Sequence, residues 1–293
     1  MTAIDPVTGD AARKPLDEEI DAYGVTHPGK VRKTNEDHFL ISSLHRNVKV
    51  HMTSLPNPES LSGDTGRLAF LAMVADGVGG APHGSDASRW AVEASMHYLM
   101  QSLHCYYNAD STNEETFTQA LQETAIHCHQ QLLERSAEDT SYDGMATTLT
   151  LWLGVWPRAY VLQVGDSRAY LLRGDELTQI SRDQTMAQVL VDEGVMSQTD
   201  AVGTRWEHVL ASSLGGPESM PVVTRMDQQW GDIGLLCSDG LTKHVSDDKI
   251  RKRLRSMTSA RQACEALLQD ALDDGGTDNI TIIVGRKIGR GGG

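Results

Sequence analysis

The chain has 293 residues, with 26 lysines and arginines against 40 aspartates and glutamates, a formal charge of −14, and 39% of its residues are hydrophobic. That balance excludes a disordered chain and disfavours nucleic acid or an anionic membrane as a primary partner, because both demand a basic footprint. The longest purely apolar run, residues 68–75, is far shorter than the roughly 20 residues of a membrane helix, and no cationic segment followed by an apolar one marks a signal peptide. The length allows two domains or one large β-rich domain. Cys105, Cys128, Cys237 and Cys264 lie far apart with no CxxC pair. They read as small core residues, kept reduced in a cytoplasmic compartment.

In chain order, residues 1–18 are polar, with Pro6 and Pro15, and read as a loose leader. Strands are predicted at 22–27 and 38–42. Residues 43–66 are broken by Pro56, Pro58, Gly63 and Gly66 into a loop, within which the alternation of Val48, Val50 and Met52 allows a small hairpin. Residues 68–75 have the pattern of a strand covered on both faces, and they stop at the turn cluster Asp76-Gly77-Val78-Gly79-Gly80. Two helices follow, one with Ala87, Trp90, Ala91, Ala94 and Tyr98 on a single face, the other with Phe117, Leu121, Thr124, Cys128 and Leu132. Strands are predicted at 147–156, 158–165, 169–173 and 176–180, then a helical or irregular stretch over 183–215. Strands return at 222–230 and 233–237, helices at 246–257 and 259–272, and a last strand at 279–286. This order is not the βαβα alternation of a doubly wound sheet. It predicts an α+β fold with antiparallel strands stacked between helix layers.

Most common catalytic signatures are absent. There is no GxxxxGK[ST] loop, no GxSxG elbow, no HExxH and no Cys-x5-Arg around Cys237, and the glycines from Gly77 onward fail GxGxxG. His127 and His129, two apart on a helix, face different directions and read as ordinary histidines. What recurs is an aspartate at the end of an apolar strand. Asp76, Asp166 and Asp239 each follow an apolar run, while Asp37 and Asp278 each precede one. Singly, each reads more readily as a turn residue than as a ligand, since Asp-Gly is a good turn dipeptide. Gathered at one sheet edge, such carboxylates would repel one another unless a cation neutralised them, and oxygen ligands select Mg²⁺ or Mn²⁺ over zinc. The spacing alone does not establish that they converge.

The blocks Arg32-Lys33-Thr34-Asn35-Glu36-Asp37, Val74-Ala75-Asp76-Gly77-Val78-Gly79-Gly80, Met145-Ala146-Thr147-Thr148, Val164-Gly165-Asp166-Ser167-Arg168-Ala169-Tyr170, Cys237-Ser238-Asp239-Gly240-Leu241 and Gly275-Gly276-Thr277-Asp278-Asn279-Ile280-Thr281 follow one another in a fixed order. In these blocks the chain resembles the metal-dependent Ser/Thr protein phosphatases (the PPM family, protein phosphatase type 2C) in their compact bacterial form, over about residues 22–287. The resemblance implies two packed antiparallel β-sheets flanked by pairs of antiparallel helices, an αββα sandwich, in agreement with the pattern above. It implies a single catalytic domain over 19–287, with 43–66 as an inserted loop and 183–215 as a flap, between a flexible leader and a flexible tail at 288–293.

The same resemblance implies roles. Asp76 would bridge two Mn²⁺ or Mg²⁺ ions, with the Gly77 carbonyl on one of them. Asp239 and Asp278 would complete the other, and Asp37 and Glu36 would act mainly through water. Asp166 with Asp239 matches a third, weaker metal position, and Arg32 the phosphate-binding arginine. Arg32, Asp76 and Asp239 would carry catalysis. Phosphorylated proteins are the implied substrates, a Ser/Thr kinase the opposing partner, and a cytoplasmic monomer the expected form. Many eukaryotic members have a histidine, a proposed general acid, where this chain has Val78. Water held by the metals is then the first choice of proton donor and His83 the second. A regulatory binding module without strong activity is the alternative, opposed by the presence of every expected aspartate.

Overall fold

The structure, a computed structural model, describes residues 13–45, 67–78, 83–101 and 114–288. Two five-stranded antiparallel sheets make up the centre. One has the order β1 (Ile20–His27), β10 (Ile280–Lys287), β9 (Ile233–Cys237), β6 (Arg168–Arg173), β7 (Glu176–Gln179). The other runs β2 (Asp37–His45), β3 (Arg67–Asp76), β4 (Leu149–Val155), β5 (Arg158–Val164), β8 (Val222–Asp227). Helices α1 (Gly84–Gln101) and α2 (Glu114–Glu138) cover the second sheet. Short helices α3 (Met186–Asp192) and α4 (Gln198–Ala201) lie between β7 and β8. A third short helix, α5 (Asp239–Thr242), and then α6 (Asp247–Arg255) and α7 (Ala260–Asp273) cover the first sheet.

The apolar run of β3 is continuous because both of its faces are covered. Leu71, Met73 and Ala75 pack toward α1 and α2, while the alternate Ala72 and Val74 join Val161, Ala169, Leu236 and Ile283 between the sheets. β10 divides in the same way, Ile282 and Val284 toward α7 and Ile283 inward. The α+β sandwich expected from the pattern is the observed fold.

Boundaries moved where side chains took other work. The strand expected over 147–156 begins at Leu149, because Thr147 instead bridges Gly77 and Leu214. Ser246 and Ser259, expected inside helices, are N-caps, and Ser259 Oγ accepts from Gln262 N. The strand expected to reach Trp230 stops at Asp227. Within the expected leader, Arg13 donates to both carboxylate oxygens of Glu19, at 2.7 and 2.8 Å, and the guanidinium of Arg67 binds Asp17. The hairpin read around Val48–Met52 and Cys105 lie outside the described residues. Cys128, Cys237 and Cys264 are free and buried, and burial pushes their thiols up to about 11, 12 and 12. That is the behaviour of core residues. Among the described residues, no helix is long and apolar enough to cross a membrane.

Candidate active site

Strand register brings the aspartates together. Asp37, first residue of β2, lies directly opposite Asp76, last residue of β3. Antiparallel pairing puts the end of β9, the start of β10 and the start of β6 at the same end of the sandwich, as Cys237 opposes both Ile282 and Arg168. Asp76, Asp166, Asp239 and Asp278 therefore line one cavity of about 760 Å³ with Arg32 and Gly77.

A polar lattice holds these groups. Ser238 Oγ donates to Asp37 Oδ2 at 2.7 Å. Asp76 N donates to Thr148 Oγ1 at 3.1 Å, and Thr147 Oγ1 donates to Asp76 O at 2.8 Å. Glu36 N donates to Asn279 Oδ1 at 2.8 Å, while Asn279 Nδ2 donates to Pro28 O and Thr34 O. Asn279 thus fixes the loop that presents both Glu36 and Arg32.

The Asp-Gly pairs at Asp76-Gly77 and Asp239-Gly240 are not turns of the kind their composition indicated. Neither glycine has a positive φ. Each permits a backbone crossing: a Cβ on Gly77 would stand 2.3 Å from the Gly84 carbonyl oxygen, and one on Gly240 only 1.9 Å from that of Asn279. The first crossing seats α1 against the end of β3, and the second seats α5 against β10.

The electrostatics are those of crowded carboxylates. Burial, then repulsion from Asp37, Asp239, Asp166 and Asp278, holds the Asp76 carboxyl well above the usual range. Burial pushes Asp37 up to about 6, against the hydrogen bond from Ser238, and burial with repulsion from Asp239 and Asp183 pushes Asp166 up to about 8. Burial also raises Glu36. For Asp278 burial is overcome by Lys243 and Arg32, which hold its carboxyl below the usual range.

Sequence reasoning passed over Lys243. Its Nζ lies 2.6 Å from Asp239 Oδ2 and 2.8 Å from Asp278 Oδ2. The signal was present, since Lys243 stands four residues after Asp239 on a helix start. Arg32 also grips Asp278, with Nε 2.9 Å from Oδ1 and Nη2 3.1 Å from Oδ2. Among the described residues, no group of three or more His, Cys, Asp or Glu side chains stands in a geometry that would hold a metal ion as it is. The donor set nevertheless fits a hard divalent cation. It is all oxygen and it repels itself, and Asp37 Oδ1 is a buried carboxylate oxygen with no hydrogen-bond partner.

His83 does not line this cavity. Its ring packs on Tyr142 at 4.6 Å and its Nδ1 lies 3.0 Å from Asp86 Oδ2 at the start of α1. His83→Ala is expected to change turnover of an aryl phosphate by no more than about threefold, and a loss of two decades would refute the structural role. His129 Nδ1 accepts from Gly215 N, and His127 packs on Tyr98, so both serve the fold.

The sequence profile described as Protein phosphatase 2C matches residues 55–274. That window omits Arg32 and Asp278, which line the cavity, and Glu36 and Asp37, of which Asp37 pairs in register with Asp76. The chain is 34% identical over 217 residues to the serine/threonine protein phosphatase PstP of Mycobacterium tuberculosis, covering 74% of this chain and 40% of that protein. It therefore spans about two fifths of that relative's length. It is 31% identical over 215 residues to the serine/threonine phosphatase stp of Listeria innocua, covering 73% of this chain and 83% of that one. Among solved structures, M. tuberculosis PstP/Ppp aligns with a TM-score of 0.72 at 29% identity, over 92% of this chain and 99% of that one. A PstP catalytic domain in complex with two manganese ions aligns with a TM-score of 0.70 at 29% identity, over 92% and 99%. By profile, relatives and fold, the chain belongs to the protein phosphatase 2C family.

Proposed function

We propose that this chain is a protein serine/threonine phosphatase that hydrolyses phosphoserine and phosphothreonine, opposing a Ser/Thr kinase as a cytoplasmic monomer. The observation that carries the reading is the facing pair Asp37 and Asp76, with Asp239, Asp278 and Arg32 gathered at the same sheet end. Asp76, the Gly77 carbonyl, Asp239 and Asp278 would hold two Mn²⁺ or Mg²⁺ ions, with Asp37 and Glu36 acting mainly through water. Asp166 and Asp239 would serve a third, weaker position. Such ions, when bound, supply Lewis-acid charge that makes water a nucleophile near neutral pH and neutralises phosphoryl oxygens.

The chain's own residues do the rest. Thr147, Thr148 and Ser238 hold Asp76 and Asp37 in place, so the carboxylates need little reorganisation. Arg32 orients the phosphoryl group, because its planar fork donates two parallel hydrogen bonds. A catalytically weak regulatory module is the second reading, favoured by the hold of Lys243 on both Asp239 and Asp278. An assay on a phosphothreonine peptide separates the two. Hydrolysis is expected with Mn²⁺ or Mg²⁺ and is abolished by a chelator. No hydrolysis with either ion would overturn the phosphatase reading, and hydrolysis of small phosphate esters alone would redirect it to a different substrate class.

A further inference from the structure

Release of a serine or threonine side chain from phosphate needs a proton at the departing oxygen, and neither the cations of the cavity nor His83 readily supplies one. Arg32 is a permanent cation. Lys243 is shared between Asp239 and Asp278, and His83 is committed to Asp86 and Tyr142. Among the described residues, one imidazole remains. His208 lies in the flap and borders both the carboxylate cavity and an adjoining one of about 720 Å³, together with Arg32, Asp166, Asp239, Lys243 and Asp278.

Two features single it out. The other histidines among the described residues commit their rings to the fold, as His38 does to Ser88, His129 to Gly215 and His244 to Asp274 and Thr277. His208 alone has no hydrogen-bond, ionic or ring partner among the described residues. Its backbone is nonetheless anchored on both sides, since Trp206 O accepts from Ala187 N at 3.1 Å and Val209 O accepts from Met186 N at 2.8 Å. The segment is thereby tied to α3, and the ring is left exposed at the boundary between the two cavities.

We infer that His208 is the proton donor to the departing serine or threonine oxygen, an assignment that rests on the phosphatase reading above. As the oxygen of water bonds to phosphorus, the bond from phosphorus to the side-chain oxygen breaks and its electron pair stays with that oxygen. The protonated ring passes its N–H proton to it, giving the free hydroxyl. The attacking water gives up a proton to solvent, the imidazole takes one back, and inorganic phosphate leaves.

A proton donor matters most for a poor leaving group, which makes the assignment testable without relying on total activity. His208→Gln is expected to lower kcat/KM on a phosphothreonine peptide by about a hundredfold, and on p-nitrophenyl phosphate by only about threefold. Across a series of aryl phosphates, the dependence of rate on leaving-group acidity steepens in the variant. Equal losses on both substrates, or an unchanged peptide rate, would overturn the proton-donor role. A thermal melt checks folding, and His208→Asn provides a second variant with the same expectations. If the wild type hydrolyses neither substrate with Mn²⁺ or Mg²⁺, the phosphatase reading fails and this assignment fails with it. A wild type active on both, with parallel losses in the variants, refutes His208 alone.

Discussion

Asp76→Asn is expected to lower kcat/KM on a phosphothreonine peptide by roughly a thousandfold or more, because it removes a charge at the centre of the proposed metal site. The amide preserves the shape and both backbone contacts, from Asp76 N to Thr148 and from Thr147 to Asp76 O. Only the charge is lost. Calorimetric titration with Mn²⁺ should therefore show weakened binding alongside the lost turnover.

The same variant has an opposite effect on stability when divalent ions are chelated. Asp76 faces Asp37 in register and is repelled by Asp37, Asp239, Asp166 and Asp278, which with burial holds its carboxyl above the ordinary range. A carboxyl raised in the folded state adds stability below its unfolded pKa and loses that contribution as pH rises through the folded value. The chelated Asn variant should therefore melt higher than the wild type by a few degrees, about 2–4 °C per kcal/mol of relieved repulsion for a chain of this size. The gain is largest at alkaline pH and shrinks toward the ordinary carboxylate range. A chelated variant that melts lower than the wild type at alkaline pH, or retains turnover, contradicts the assignment.

Arg32→Ala is expected to reduce kcat/KM by about a hundredfold, and Arg32→Lys to rescue little of it. Arg32 is 43% exposed at its side chain, lines both cavities, and meets Asp278 through two nitrogens at 2.9 and 3.1 Å. A lysine brings one point of charge to a place that uses a fork. Inhibition by inorganic phosphate gives an independent readout, since both variants should raise the phosphate concentration needed for half inhibition. A lysine variant within a few-fold of wild type would show that charge alone suffices at this position.

Much of the fold was legible in local patterns. Period-2 alternation and short apolar runs marked the strands because each sheet has two covered faces, and helical spacing marked α1, α2 and α7. Two of the boundary errors fall where a side chain bonds to backbone, at Thr147 and Ser259. Such contacts depend on where the chain folds back, which composition does not record.

The candidate site was legible residue by residue, and its geometry was not. Asp37, Asp76, Asp166, Asp239 and Asp278 could each be located from the apolar run beside it, yet each alone read more readily as a turn residue than as a ligand. Gly77 and Gly240 looked like turn glycines, and only the crossings with Gly84 and Asn279 show why a side chain is excluded there. His208 gave no motif signal, and Lys243 gave only its four-residue spacing from Asp239, which does not show that it also reaches Asp278.

By itself, then, the sequence determined the strands, the four longer helices, the acidic strand ends and the family. Tertiary structure alone decided that five aspartates distant in the chain share one end of the sandwich. It also decided that Lys243 and Arg32 converge on Asp278, and that one histidine, unpartnered among the described residues, borders the same cavity. The physical reason is register. Alternation says which face a residue occupies, but only strand pairing says which distant residue stands opposite it. In this chain the carboxylate pair at Asp37 and Asp76 is such a juxtaposition.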